Sequence, residues 1–95
     1  MEKTYVVYLL TNRNNTVIYT GITSDLAGRL ESRRQKAVAG FTARYNVEKL
    51  VYYEVFATPR EAIQREKQIK AGPRANKVGL IESLNPEWED LAERL

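Results

Sequence analysis

The sequence contains neither cysteine nor histidine. Without cysteine there is no disulfide framework and no thiolate metal site. Without histidine a zinc ion would have to be held by oxygens alone, which argues against a zinc enzyme. General acid and base chemistry is left to Tyr, Glu, Asp or Lys. No apolar run approaches twenty residues and no signal-peptide core is present, so the expectation is a cytoplasmic protein that does not engage a membrane. Internal repeats, low-complexity tracts and linkers are missing too. The 95 residues read as a single domain, 1–95, with room for one modest core.

What is present is ordinary for a globular chain, with 43% hydrophobic and 28% charged residues. The charge is unevenly spread. Residues 1–79 hold 14 Lys and Arg against 7 Asp and Glu, whereas residues 80–95 hold 1 against 5. A basic body with an acidic tail suits a surface that meets a polyanion, although a solvated basic surface with no ligand has the same signature.

Two tyrosines stand out. Tyr5 to Leu10 reads as a strand, Asn12 to Asn15 as a polar turn, and Val17 to Gly21 as a second strand. In such a hairpin Tyr8 and Tyr19 approach each other directly or diagonally. Gly21 is expected to let the backbone leave the sheet tightly. A helix opening at Thr23, Ser24 or Asp25 would then carry Arg29 back over the same edge. Its apolar stripe is Leu26, Leu30 and Ala37, with Arg29, Arg33 and Lys36 on a neighbouring face, and Gly40 ends it. Two phenols beside a guanidinium form the candidate site.

Residues 41–46 read as an irregular connection, and Leu50 to Phe56 as a third strand, apolar on both faces like the first. Thr58-Pro59-Arg60-Glu61 is a capping box with proline at the first helical position. The helix it starts should run to about Lys70 and stop at Ala71-Gly72-Pro73. Glu66 falls three residues from both Ile63 and Ile69, on the apolar side of that helix. A carboxylate there requires a cationic side chain, a metal or hydrogen-bond donors. A short helix over 74–83 follows. Asn85-Pro86-Glu87 repeats the cap-plus-proline signal, and Trp88, Leu91, Ala92 and Leu95 mark the stripe of a last helix. The predicted order is β-β-α-β-α-α-α, an α+β fold with a three-stranded, mainly antiparallel sheet. Arg33, Arg34, Lys36, Arg44, Lys67, Lys70, Arg74 and Lys77 are the candidate nucleic-acid-facing cations.

Val6-Val7-Tyr8, then Tyr19-Thr20-Gly21, then Arg29, then Glu66 resembles the GIY-YIG nuclease superfamily, and in particular its small single-domain bacterial members. Further likeness lies in Gly21 to Leu26, Gly40 to Thr42, Leu50 to Glu54, Arg65 to Lys70 and Leu80 to Trp88, so it spans essentially the whole chain. The resemblance implies an endonuclease that hydrolyses phosphodiester bonds in DNA, structured or damaged, with little sequence specificity. It also implies one divalent ion, Mg²⁺ or Mn²⁺, and no small-molecule cofactor. Glu66 would hold the metal, Tyr19 would help activate water, Tyr8 would support that nucleophile, and Arg29 would neutralise the scissile phosphate. A phenol is a poor base at neutral pH unless nearby cations favour its ionised form. Magnesium is commonly held by few carboxylates, with water and substrate phosphate completing its shell. One position departs from the pattern. One turn beyond the helical arginine, relatives usually carry His, and this chain has Arg33 within Ser32-Arg33-Arg34. Arginine binds phosphate but shuttles no proton near neutrality. Weakened cleavage, or a nucleic-acid-binding module that has lost its chemistry, is therefore implied as well.

Overall fold

The computed structural model describes residues 3–32 and 46–95 in full and the backbone of 33 and 34. Lys36, Arg44, and the expected helix end at Gly40 lie outside the described residues. The described chain forms β1 (Tyr5–Thr11), β2 (Ile18–Thr23), α1 (Leu26–Arg34), β3 (Lys49–Phe56), α2 (Pro59–Ala71) and α3 (Arg74–Leu84), and closes in a 3-10 turn (Leu91–Arg94). The three strands make one antiparallel sheet in the order β2-β1-β3. This is the α+β architecture expected from the strand and helix patterns.

β1 is the central strand, and both its faces are apolar. Val6, Tyr8 and Leu10 face one cluster with Leu26 and Leu30 of α1, Val47, Leu50 and Leu91. Val7 and Leu9 face a second cluster with Val51, Tyr52, Ala62, Ile69 and Ile81, beneath α2 and α3. The register slips between Leu9, opposite Tyr52, and Leu10, opposite Leu50. That bulge takes Val51 out of strict alternation, so Val51 and Tyr52 join the same cluster.

The hairpin turn is built by Asn12, whose side-chain oxygen accepts from the Thr16 and Val17 amides at 2.9 and 3.0 Å. α2 starts as its capping box requires: the Thr58 hydroxyl accepts from the Glu61 amide at 3.3 Å with Pro59 at the first position, a cap worth about 1 kcal/mol. α2 lies across β1 and β2 and reaches β3.

The last expected helix does not form. Asn85 ends α3, its amide bonding Ile81 O at 2.7 Å, and Trp88 takes a positive φ of 55°. The side chain of Asn85, instead of capping a new helix, donates to Val51 O at 3.2 Å and Glu89 O at 2.8 Å and accepts from Glu89 N at 3.0 Å. Asp90 likewise accepts from Leu50 N at 3.2 Å. The tail thus satisfies backbone groups of the edge strand β3, and a helix would forfeit those bonds. Leu91 is buried but Leu95 is exposed, so the predicted apolar stripe is never assembled.

Candidate active site

Tyr8 lies directly opposite Gly21, and Leu10 opposite Tyr19, so Tyr8, Tyr19 and Gly21 share the face covered by α1. A Cβ placed on Gly21 would meet the Cζ and hydroxyl of Tyr8 at 2.5 Å. The Tyr8 ring therefore occupies the space that any side chain at 21 would need. Gly21 does not release the chain from the sheet, as its backbone freedom suggested; β2 continues through it to Thr23, and the glycine serves as a floor for the phenol. Tyr19, two residues earlier on the same face, brings its ring to a centroid distance of 6.4 Å from Tyr8 at 44°. Such tilted pairs contribute about 0.5–1.5 kcal/mol beyond burial. Tyr8 is buried to 1% exposure and Tyr19 is half-buried.

Asp25 caps α1, accepting from the Gly28 amide at 3.1 Å while its own amide donates to Thr23 Oγ1 at 3.0 Å. Leu26 and Leu30 then bury onto the tyrosine face. Arg29, adjacent to Leu30, is half-buried on the flank of the same helix. Tyr8, Tyr19 and Arg29 thus belong to one side of the sheet.

Glu66 belongs to α2, packed on the opposite face. Arg65 turns toward β3, where its Nε donates to the two Glu54 oxygens at 3.1 and 3.2 Å and its second terminal nitrogen donates at 3.1 Å. Successive helical residues are rotated by about 100°. Glu66 is therefore turned away from Arg65 around the helix, between the buried Ala62 and Ile69. Tyr8, Tyr19 and Arg29 belong to the α1 side of the sheet, and Glu66 to the helix that covers its other side. The Glu66 side chain is 15% exposed and pairs with Lys70, one turn on, at 3.3 Å. Lys70 is itself 53% exposed. Helix pairs of this kind contribute only about 0.3–0.5 kcal/mol, so a stronger cation can displace the lysine.

Among the described residues no three His, Cys, Asp or Glu side chains gather as a metal cage. What the chain offers is one partly desolvated carboxylate with a weakly held partner. That donor set fits a hard divalent ion anchored by a single carboxylate and completed by phosphate and water.

A polar cluster that sequence reasoning did not single out joins β3 to α2. Tyr52 donates to Glu54 Oε2 at 2.5 Å, and Arg65 links Glu54 to the Gln68 side chain, which it meets at 2.6 Å. Burial, followed by the hydrogen bond to Glu54, pushes the Tyr52 phenol up to about 12. Burial acts to raise Glu54 also, but hydrogen bonds from Arg65 and Tyr52 outweigh it and hold the carboxyl below its ordinary value. Tyr52 and Glu54, two residues apart on a strand, were the available signal, but nothing local identifies Arg65 as their partner.

Of the candidate nucleic-acid-facing cations, Lys67 and Lys70 are exposed. Arg74 donates to the Asn15 and Thr16 carbonyls at 2.7 and 3.2 Å, tying α3 to the hairpin turn, and Lys77 donates to Gly72 O at 2.8 Å. The side chains of Arg33 and Arg34, like Lys36 and Arg44, lie outside the described residues.

The GIY-YIG catalytic domain model matches residues 4–78, and the chain belongs to the GIY-YIG family. Among its relatives are small UPF0213 proteins. One from Clostridium perfringens is 34% identical over 89 residues, covering 94% of this chain and 95% of that one. Another, from Staphylococcus haemolyticus, is 34% identical over 82 residues, covering 86% and 98%. The solution NMR structure of a UPF0213 protein from Bacillus halodurans has the same fold, with a TM-score of 0.59 and 25% identity over 92% of each chain. Among the described residues no helix is long and apolar enough to cross a membrane.

Proposed function

We propose that this chain is a divalent-metal-dependent DNA endonuclease, acting on structured or damaged DNA with little sequence preference. The observation that carries the proposal is the pairing of the Tyr8 and Tyr19 rings, with Gly21 leaving room for Tyr8, on the face of the sheet that also carries Arg29.

In this reading Glu66 holds one Mg²⁺ or Mn²⁺. When bound, the ion supplies charge to the phosphoryl group and to the leaving oxygen. Arg29 binds the scissile phosphate, for which a planar guanidinium is suited to two-point contact. Tyr19 helps activate the attacking water, and Tyr8, buried beside it, supports that nucleophile by holding the Tyr19 ring in place. The chain's general-base options are few, since it has no histidine.

Purified protein incubated with branched and nicked DNA in Mg²⁺ or Mn²⁺ tests the assignment. Cleavage should disappear in Glu66→Ala and fall by about 10² or more in Tyr19→Phe. Cleavage that persists in Glu66→Ala refutes it. Arg33 favours a second reading, a module that binds nucleic acid without cutting. Salt-sensitive DNA binding with no product in either metal would select that reading.

A further inference from the structure

We propose that Arg60 and Lys67, with Ile63 between them, form a track on the outer face of α2 for the sugar–phosphate backbone of the nucleic acid that the site acts on, an inference that rests on the nuclease reading above. Four of the six cations on α2 and α3 are already committed within the protein: Arg65 to Glu54, Lys70 to Glu66, Arg74 to two turn carbonyls and Lys77 to Gly72 O. Arg60 and Lys67 form no ion pair or hydrogen bond among the described residues, and both are exposed. Seven residues apart, they project from one face of the helix about 10 Å from each other.

Between them the surface is apolar where solvent would favour a polar residue. Ile63 is 44% exposed and, with Pro59 and Gln64, floors an open depression of about 590 Å³ rimmed by Arg60 and Lys67. Two unpaired cations on either side of exposed Ile63 and Pro59 complement phosphates separated by deoxyribose. An acidic peptide offers charge without the apolar sugar. The track also begins beside the site: Lys70 and Glu66 occupy the same side of α2, one and two positions around from Ile63.

The test is fluorescence anisotropy of a labelled DNA duplex with the full chain, without divalent ions, over a series of NaCl concentrations. In the R60A/K67A variant the slope of log K against log salt should fall in magnitude by about 1.8, two phosphate contacts' worth. Ile63→Ser should weaken binding severalfold at every salt concentration with the slope retained. Arg94→Ala, a cation paired with Glu89 at the other end of the chain, should leave the slope at the wild-type value. Arg60 and Lys67 are exposed, so both variants should melt like wild type. A wild-type slope in R60A/K67A overturns the track, as does displacement of the DNA by polyglutamate at matched charge. Glu66-dependent cleavage together with an unchanged slope removes the track alone. A reduced slope in a protein that never cleaves removes the nuclease reading alone.

Discussion

Gly21→Ala is the perturbation that addresses the site through packing. The new Cβ would sit 2.5 Å from the Cζ and hydroxyl of Tyr8 and 2.9 Å from its Cε2. Carbon contacts settle near 3.5–4.0 Å, so the ring or the strand must move by about 1 Å. The ring has little freedom, because Tyr8 is 1% exposed and is packed within the cluster that includes Leu26, Leu30 and Leu50. Overpacking of this kind costs about 1–3 kcal/mol. In a chain of this size each kcal/mol lowers Tm by about 4–8 °C. Urea unfolding followed by circular dichroism, in wild-type and Tyr8→Leu backgrounds, measures the coupling. Leucine does not reach across Gly21, and alanine is favoured over glycine in a strand by about 0.5–1 kcal/mol. Gly21→Ala should therefore destabilise the wild type and be neutral or stabilising beside Tyr8→Leu. Equal costs in the two backgrounds would refute the claim that the glycine exists to seat the phenol.

Gly79→Ala should do the opposite. Its Cβ meets nothing within 4 Å on exposed α3, so stability should rise by about 0.8–1 kcal/mol, read as a higher urea midpoint. Asn85→Ala should cost about 1–3 kcal/mol in the same assay, because it strips partners from Val51 O in the buried edge of β3. The Tyr52–Glu54–Arg65 cluster fixes two pH limbs. Glu54 has a depressed folded pKa, so its contribution is present above the ordinary carboxyl value and is lost as pH falls through the depressed one. The acid limb of a stability–pH curve should be shallower in Glu54→Gln. Tyr52 has a raised one, so its contribution is present below 10 and is lost as pH rises toward about 12. Tyr52→Phe should flatten that alkaline limb, and an unchanged limb would contradict the assignment.

The sequence alone determined what is local. Alternation and turn residues gave the hairpin, and the Thr58-Pro59-Arg60-Glu61 box gave the start of α2 to the residue. These follow from side-chain period and capping, which depend on near neighbours. The tertiary structure decided the rest. The second cap-plus-proline signal, at Asn85, failed because a buried amide found better partners on β3 than in a new helix turn. Gly21 changed its meaning from a flexible exit to an empty floor only once Tyr8 was set across from it. Glu66 reads from the sequence as a buried acid in search of a cation. That it belongs to the helix behind the sheet, paired with Lys70 while Arg65 grips β3, depends on how α2 is rotated on the sheet, and contacts between residues distant in the chain fix that rotation.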